Sequence, residues 1–185
     1  MNLLKVKNIL CGGYHRVIKM INGKLPVTWL KKDYFLINDW RSPESIYNHV
    51  HSTNKIKRQY VGSAGVFICN EIPKTFNNII EGFKLKNTVA AINKLMPGQV
   101  LPWHTDNYPT YIRRNNISDN QQIIRIIVFL HDQEPGQQLW IRHNLCVGTA
   151  GTYFGWGRGV EHMAANLSKT PRYTLQITGI QDARL

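Results

Sequence analysis

The sequence has few cysteines and no long apolar run, and each absence narrows the class of protein. Its three cysteines, Cys11, Cys69 and Cys146, lie far apart and form no CxxC pair, so neither a disulfide framework nor a zinc knuckle is expected. No apolar run reaches the roughly 18 residues that a transmembrane helix needs. Lys5 and Lys7 interrupt the stretch that a signal peptide would keep apolar. We therefore expect a soluble, cytoplasmic protein without a membrane partner.

Acidic side chains are also scarce. There are 11 aspartates and glutamates against 23 lysines and arginines, which gives a formal net charge of +12. Such a charge permits association with nucleic acid, an anionic membrane surface or an acidic substrate. The basic residues come in small groups, and none recurs at a spacing that would line one face of a helix. Most of the charge is therefore interpreted as solvated surface, and a nucleic-acid partner stays open but is not favoured.

The length and the absence of internal divisions predict one domain over residues 1–185. We expect a helix-containing N-terminal part over about residues 1–87 and a β-rich core over about residues 88–180. Helix signals are Ser42-Pro43-Glu44, where a capping residue precedes a proline, and the apolar spacing of residues 73–86. After residue 88, short apolar runs alternate with turn residues, as in antiparallel sandwiches and barrels. The predicted class is mainly β with flanking helices.

Three of the predicted strands carry polar residues where the alternation predicts burial. These residues are Asn93, Arg125 and the pair Arg172 and Thr174, which shares one strand face. A guanidinium inside a sheet core is costly unless it meets an anion, because desolvating a charge outweighs most single interactions. The pattern therefore indicates an acidic ligand inside the β core. The alternative, that each arginine pairs with a protein carboxylate, stays open.

The segment His104-Thr105-Asp106 carries the clearest chemical signal. An imidazole and a carboxylate two residues apart project to the same face of a strand. They supply two members of the arrangement of two histidines and one carboxylate, which holds Fe(II) on one side and leaves positions open for a cosubstrate and O₂. His162 is the best candidate for the third ligand, because it follows a glycine-rich turn and precedes Arg172 by ten residues. HxD alone is a weak signal, and the combination gives it specificity.

Taken together, these residues resemble the Fe(II)/2-oxoglutarate oxygenases of the double-stranded β-helix fold. Within them the sequence looks most like the aspartyl/asparaginyl β-hydroxylase group and, more distantly, like prolyl hydroxylases. The likeness runs from about residue 93 to residue 178 and rests on the segments 96–104, 125–130 and 154–172. It implies a jelly-roll core and a dioxygenase that hydroxylates an amino-acid or peptide side chain, with release of succinate and CO₂.

The resemblance also implies roles for individual residues. His104 and His162 are expected to ligate the iron. Arg172 is expected to pair with the distal carboxylate of the cosubstrate 2-oxoglutarate, and the fork of its guanidinium suits that contact. Arg125 and Asn93 are expected to contact the other polar groups of the cosubstrate. On the face shared with Arg172, Thr174 is predicted to add a further hydrogen bond, and the aromatic residues Trp103, Phe154 and Trp156 are candidates for the cavity wall.

The sequence departs from the β-hydroxylase group in two places. Animal members of that group carry HxG, whereas here Asp106 completes the triad, which is closer to the wider superfamily and argues against a halogenase. An insertion of about a dozen residues, Asn107 to Ser118, follows the HxD motif. It is interpreted either as a substrate lid or as a surface excursion.

Two rival functions stay open at this point. A cupin-like metal protein without redox chemistry shares histidine and carboxylate ligands, but it has no need of Arg172. A basic nucleic-acid-binding module, in which the triad is incidental, fits the net charge, yet it calls for stacking aromatic residues interleaved with basic ones. A hybrid of the two, an oxygenase that acts on nucleic acid, also stays open. Tyr108, Tyr111, Arg113 and Arg114 form the only local approximation to such a surface.

Overall fold

The computed structural model describes residues 6–9, 18–30, 32–41, 63–64, 66–118 and 121–181. Two short α-helices lie within these residues, α1 at Asn77–Gly82 and α2 at Pro109–Asn115, and 3₁₀ turns span Val27–Trp29, Lys32–Leu36 and Lys74–Phe76. The strands of the described residues are β1 Val6–Ile9, β2 Ile18–Lys24, β3 Ser63–Ala64, β4 Phe67–Cys69, β5 Lys86–Leu95, β6 Gln99–His104, β7 Gln122–Phe129, β8 Gln137–Ile141, β9 Asn144–Leu145, β10 Thr152–Gly157, β11 His162–Asn166 and β12 Arg172–Gln181.

The strands form two sheets. A seven-stranded sheet has the order β1-β2-β10-β7-β12-β5-β4, and a five-stranded sheet has the order β3-β6-β11-β8-β9. From β5 to β8 and again from β10 to β12, consecutive strands alternate between the two sheets, and the described pairs are antiparallel except for β3 with β6. This is the winding of a jelly roll, and the predicted double-stranded β-helix core is confirmed.

The first described residues also contribute strands, which the sequence analysis did not predict. Strand β2 pairs with β10, and β4 pairs with β5, so both belong to the large sheet. In β2 the neighbours Met20 and Ile21 are both buried, one on each side of the sheet. Burial on both faces removes the period of two from the sequence, and this explains why the strand was missed. The helix predicted from Ser42-Pro43-Glu44 lies outside the described residues.

An apolar core covers one face of the large sheet. Phe76, Ile79 and Phe83, spaced as in a helix, pack from the segment around α1 against the strands and are completely buried. This segment confirms the helix predicted within residues 73–86, although α1 ends at Gly82. It ends there because Lys84 adopts a positive φ of 53° and turns the chain into β5. No helix in the described ranges is long and apolar enough to cross a membrane.

Candidate metal centre

The two predicted histidine ligands lie directly opposite each other on adjacent strands. His104 of β6 pairs with His162 of β11, and their ring centroids are 4.2 Å apart. Between this pair and the next one, Leu101 with Ala164, strand β6 contains one residue more than β11. This β-bulge accommodates Pro102, which has no N–H for a ladder bond, and it turns the side chain of His104 toward His162.

Backbone carbonyls fix the tautomer of both imidazoles. His104 Nδ1 lies 2.7 Å from the carbonyl oxygen of Pro102, and His162 Nδ1 lies 3.0 Å from that of Val160. A carbonyl oxygen only accepts hydrogen bonds, so each Nδ1 must carry the proton as donor. The lone pair is then on Nε2, the atom that both rings direct toward a common point. Metal-binding histidines are held in this way in proteins.

Asp106 completes the cluster, but not by the route that the sequence predicted. Strand β6 ends at His104, so Asp106 reaches the histidines from the loop that follows and not by strand alternation. Its carboxylate lies 3.5 Å from His162 Nε2 and 4.0 Å from His104 Nε2. The potential ligand atoms of the three residues lie within 4.8 Å of one another, and no second group of this kind occurs among the described residues.

The electrostatics of the cluster suit a divalent cation. Burial alone raises the pKa of Asp106, but Arg125 and then the two histidines outweigh it and hold the pKa below its ordinary value. Burial, with a further contribution from His104, lowers the pKa of His162 to about 3. At neutral pH the site therefore offers an ionised carboxylate beside a neutral imidazole. Metal ligation requires these protonation states, so the three residues fit a metal such as Fe(II).

Two further side chains contact Oδ2 of Asp106, the oxygen that lies 3.5 Å from His162 Nε2. Arg125 Nη1 lies 3.2 Å from Asp106 Oδ2, and the hydroxyl of Tyr108 donates to the same oxygen at 3.1 Å. The guanidinium of Arg125 also lies over the Tyr108 ring, 5.1 Å from its centroid. Arg125 therefore pairs with a protein carboxylate, as the alternative interpretation allowed, and that carboxylate belongs to the site itself. Its contact with a cosubstrate stays a prediction.

Tyr108 was not predicted as a site residue, and nothing in its spacing identified it. Its backbone has a positive φ of 54°, which is unfavourable for an aromatic residue. Tyr108 lies between Asp106 and the first residue of α2, near the start of the predicted insertion. Tyr111, one turn into that helix, donates a hydrogen bond of 2.7 Å to the carbonyl of Asn87. The insertion is thus fixed to the site at its first residues, and its role as a substrate lid stays a prediction.

Arg172 is buried at the other end of the same cavity. The residue is 5% exposed, and its Nη1 donates to the carbonyl of Gln138 at 2.7 Å. No carboxylate of the described residues forms an ion pair with it. Burial lowers the pKa of Arg172 to about 10, so the guanidinium still carries its charge at neutral pH. A buried cation without a protein anion indicates a site for an anionic ligand.

The strand register sets the order of groups along the cavity. On β12, Arg172 lies opposite Leu95 of β5, whereas Thr178 lies opposite Arg125 of β7, so the two arginines are at opposite ends. The residues that line the space between the sheets are Val66, Asn93, Leu95, Leu101, Arg125, Ile127, Leu139, Trp156, His162, Ala164, Arg172, Thr174 and Gln176. The predicted cosubstrate residues therefore line one cavity together with His162 of the metal cluster.

Gln176 is a cavity residue that the sequence analysis missed. It lies on the face that already holds Arg172 and Thr174, and extending the period of two by one step would have found it. Asn93, which pairs with Thr174 across the sheet, donates from Nδ2 to Gln176 Oε1 at 3.1 Å. The two amides form a polar pair in the middle of the cavity wall.

Four polar atoms of the cavity residues are buried and have no hydrogen-bond partner among the described residues. They are Asn93 Oδ1, Arg125 Nε, Trp156 Nε1 and Arg172 Nη2. Buried polar groups in proteins are nearly always paired, so four in one cavity require a ligand or water to satisfy them. Three of the four are donors. The cavity therefore suits a ligand with several oxygen atoms that accept hydrogen bonds.

The aromatic residues proposed for the cavity wall separate into three environments. Trp156 lines the cavity, as predicted. Phe154 is buried beside Phe129, at 5.8 Å between ring centroids, in an apolar cluster. Trp103 is 46% exposed, and its prediction as a wall residue is wrong. The bulge in β6 explains the error, because it turns His104 inward and leaves its neighbour outside.

Comparison with known proteins supports the fold. The sequence matches no protein-family model and no curated protein sequence. Among solved structures, it is similar to a Pseudomonas putida prolyl-4-hydroxylase, with a TM-score of 0.54 and 11% identity over 88% of this chain and 92% of that one. It is similar to the non-haem α-ketoglutarate-dependent carbocyclase SnoK of nogalamycin biosynthesis, with a TM-score of 0.53 and 12% identity over 89% and 79% of the two chains.

A third similar structure is the collagen prolyl hydroxylase vCPH of Paramecium bursaria Chlorella virus-1, in complex with 2OG. Its TM-score is 0.52, with 12% identity over 92% of this chain and 97% of that one. At such low identity these likenesses establish a shared fold and leave the ligands and substrate to be argued from the site. The likeness to the aspartyl/asparaginyl β-hydroxylase group stays a prediction. The chain has the jelly-roll fold that these oxygenase structures share.

Proposed function

We propose that this protein is an Fe(II)- and 2-oxoglutarate-dependent dioxygenase that hydroxylates an amino-acid or peptide side chain. One observation carries the proposal. A single cavity is lined at one end by His162, a member of the cluster of two histidines and an aspartate, and at the other by the buried Arg172, with which no carboxylate of the described residues forms an ion pair. A metal-binding jelly roll without redox chemistry needs only the cluster. The buried cation calls for a second, acidic ligand, and 2-oxoglutarate has a carboxylate at each end.

The proposed roles of the protein groups follow from their positions. His104, Asp106 and His162 would hold the metal, and three protein ligands of this kind would leave positions for a cosubstrate and O₂. Arg172 binds the distal carboxylate through Nη2, which has no partner among the described residues, and Thr174 on the same strand face adds a hydroxyl donor.

Fe(II) with bound 2-oxoglutarate and O₂ would supply the oxidising chemistry, which hydroxylates a C–H bond and releases succinate and CO₂. The contribution of the chain is orientation and exclusion of water. Leu95, Leu101, Ile127 and Leu139 give the cavity an apolar wall between its two polar ends.

The proposed substrate class is an amino acid or a peptide. The likeness of segments 96–104, 125–130 and 154–172 to hydroxylases of amino-acid residues supports it, and so does the dispersed distribution of basic side chains. A nucleic-acid substrate would bind through several phosphates, so its affinity would fall steeply with salt concentration. A peptide bound at the mouth of the cavity should show a much shallower dependence.

The proposed function is tested by turnover with purified protein, Fe(II), ascorbate and 2-oxoglutarate. We expect succinate to form in wild-type protein, and Arg172→Leu to lose this activity. Arg158→Leu is the matched control, because Arg158 is an exposed arginine in the turn between β10 and β11. Wild-type protein that binds iron but neither binds nor consumes 2-oxoglutarate would contradict the proposal and favour a non-redox metal protein.

Mass spectrometry of substrate candidates after turnover tests the substrate class. An added oxygen on an amino acid or peptide is the expected result. An added oxygen on a nucleobase, with none on any amino acid or peptide tested, would overturn the substrate class and leave the dioxygenase assignment intact.

A further inference from the structure

The indole N–H of Trp156 is a buried donor that the proposed chemistry has not yet used. Trp156 is 1% exposed, and no acceptor among the described residues lies within hydrogen-bond distance of Nε1. Leaving such a donor unpaired in the interior costs more than most single hydrogen bonds contribute, so an acceptor is expected in the functional state. Because Trp156 lines the cavity, that acceptor is expected to belong to a ligand.

The position of Trp156 specifies which part of a ligand it reaches. On the large sheet Trp156 pairs with Arg125, whose guanidinium contacts the Asp106 carboxylate. Its ring also packs against His162, with centroids 4.6 Å apart. Trp156 therefore lies at the metal end of the cavity, whereas Arg172 lies at the opposite end. Arg172 binds one carboxylate of such a ligand. The indole N–H of Trp156 can then donate a hydrogen bond to the ligand only if the ligand also carries acceptor oxygens at its other end.

We propose that Trp156 is a cosubstrate-binding residue, whose indole N–H donates a hydrogen bond to an oxygen of the acidic ligand next to His162. This inference rests on the proposed function, since that function supplies an acid with oxygens at both ends. The pair Trp156 and Arg172 then selects ligands by the separation of their two acceptor groups. An acid with one acceptor group, or a shorter diacid, leaves one of these buried donors unpaired and binds more weakly.

NMR of the indole groups tests the contact without altering the site. The chain has five tryptophans, so ¹⁵N-labelled protein gives five indole N–H resonances, and Trp156→Phe assigns that of Trp156. Zn(II) replaces Fe(II) as a diamagnetic ion. Titration with 2-oxoglutarate should move the Trp156 N–H downfield with the saturation curve of binding. Trp140 is the internal control, because its N–H already donates to Gln138 Oε1 at 3.1 Å and the residue does not line the cavity.

Binding measurements on variants give the contribution of this hydrogen bond to 2-oxoglutarate affinity. Loss of a hydrogen bond to a charged acceptor in Trp156→Phe should weaken 2-oxoglutarate binding about ten- to a hundredfold, whereas Trp140→Phe should change it less than about twofold. Zn(II) affinity should be unchanged in Trp156→Phe, because the ring that packs on His162 is kept. Affinity for 2-oxoglutarate equal to that of the wild type would overturn the proposal. If the variant fails to fold, Trp→Phe substitutions at the other four tryptophans assign the Trp156 resonance by elimination, and the wild-type titration decides.

The outcomes separate this proposal from the proposed function. Saturable 2-oxoglutarate binding without movement of the Trp156 resonance would overturn the role of Trp156 and leave the dioxygenase assignment standing. Absence of 2-oxoglutarate binding to the Zn(II) protein would overturn that assignment. In that case oxalate, succinate and inorganic phosphate are titrated as alternative probes. A downfield shift with any of them supports Trp156 as a donor to an acidic ligand, and no shift with all three rejects it.

Discussion

The two faces of the large sheet are built from the same strands and have opposite characters. On β12, Leu175 and Ile177 are completely buried against the apolar core that includes α1. Their sequence neighbours Arg172, Thr174 and Gln176 point to the other side and line the cavity. On β7, Ile124, Ile126 and Val128 lie in the same core, whereas Arg125 and Ile127 line the cavity. The alternation of side chains along a strand thus separates stability from ligand binding residue by residue.

The two faces also contribute differently to the free energy of folding. The covered face buries a mainly apolar cluster, and burial of its side chains stabilises the fold. The cavity face carries buried donors and a buried cation that have no partner among the described residues, and such groups destabilise the ligand-free protein. A bound ligand that accepts hydrogen bonds from these donors would offset that cost. Substitutions on the apolar face should therefore lower the free energy of unfolding, whereas substitutions on the cavity face should weaken ligand binding.

The largest expected effect is on metal binding. His104→Ala and His162→Ala each remove one of two neutral imidazole ligands, so Fe(II) affinity should fall below detection and turnover should stop. Isothermal titration with Fe(II) under anaerobic conditions measures this. His143→Ala is the control, since His143 is exposed in the turn between β8 and β9. Stoichiometric iron in either cluster variant, together with full activity, would reject the assignment.

The next prediction compares two adjacent residues of β12 whose side chains lie on opposite faces of the large sheet. Leu175→Ala leaves a cavity in the apolar core and should lower the free energy of unfolding by about 2 to 5 kcal/mol, with no change in ligand affinity of the folded fraction. Thr174→Ala should change stability little and weaken 2-oxoglutarate binding about tenfold, because a donor to a carboxylate is lost. Urea unfolding and calorimetric titration give both quantities. Identical signatures for the two variants would refute the division between faces.

Arg172→Leu tests whether a residue of the cavity face contributes to 2-oxoglutarate affinity without contributing to the stability of the fold. Loss of a charge-assisted contact in a dry site should weaken 2-oxoglutarate binding by about 2 to 4 kcal/mol, which is tens to hundreds of fold. The ligand-free variant should be as stable as the wild type or more stable, because an unpaired buried charge is replaced by an apolar group. An unchanged dissociation constant would reject the role of Arg172. Marked destabilisation would indicate that the guanidinium supports the fold.

The last expected effect is on metal affinity and concerns Tyr108. Removal of its hydroxyl in Tyr108→Phe leaves Asp106 Oδ2 with Arg125 as its remaining close donor, so the carboxylate is less well oriented. Loss of an outer contact of this kind typically lowers metal affinity about 10- to 100-fold. Competition with a chelator measures the change. Tyr111→Phe, which removes a hydroxyl from the same segment without touching Asp106, should leave metal affinity unchanged.

Several features of the site were accessible from local sequence patterns. The position of Arg172 and Thr174 on one strand face follows from the period of two, which the structure confirms. The jelly-roll core follows from short strands separated by turn residues, together with the family resemblance. Strand β2 was missed because it is buried on both faces. Tyr108 was missed because its role depends on a single backbone conformation, which no periodic pattern encodes.

The sequence by itself determined which side chains are inconsistent with an ordinary apolar core, namely Asn93, Arg125, Arg172 and the histidines of the cluster. These residues stand out because burying a polar group is costly in any fold. Only the tertiary structure decided their partners. It paired Arg125 with Asp106, left Arg172 without an acid among the described residues, and placed Trp156 in the cavity wall with its Nε1 unpartnered there among the same residues. Strand register and one bulge fix these distances, and both arise from contacts between residues far apart in the chain.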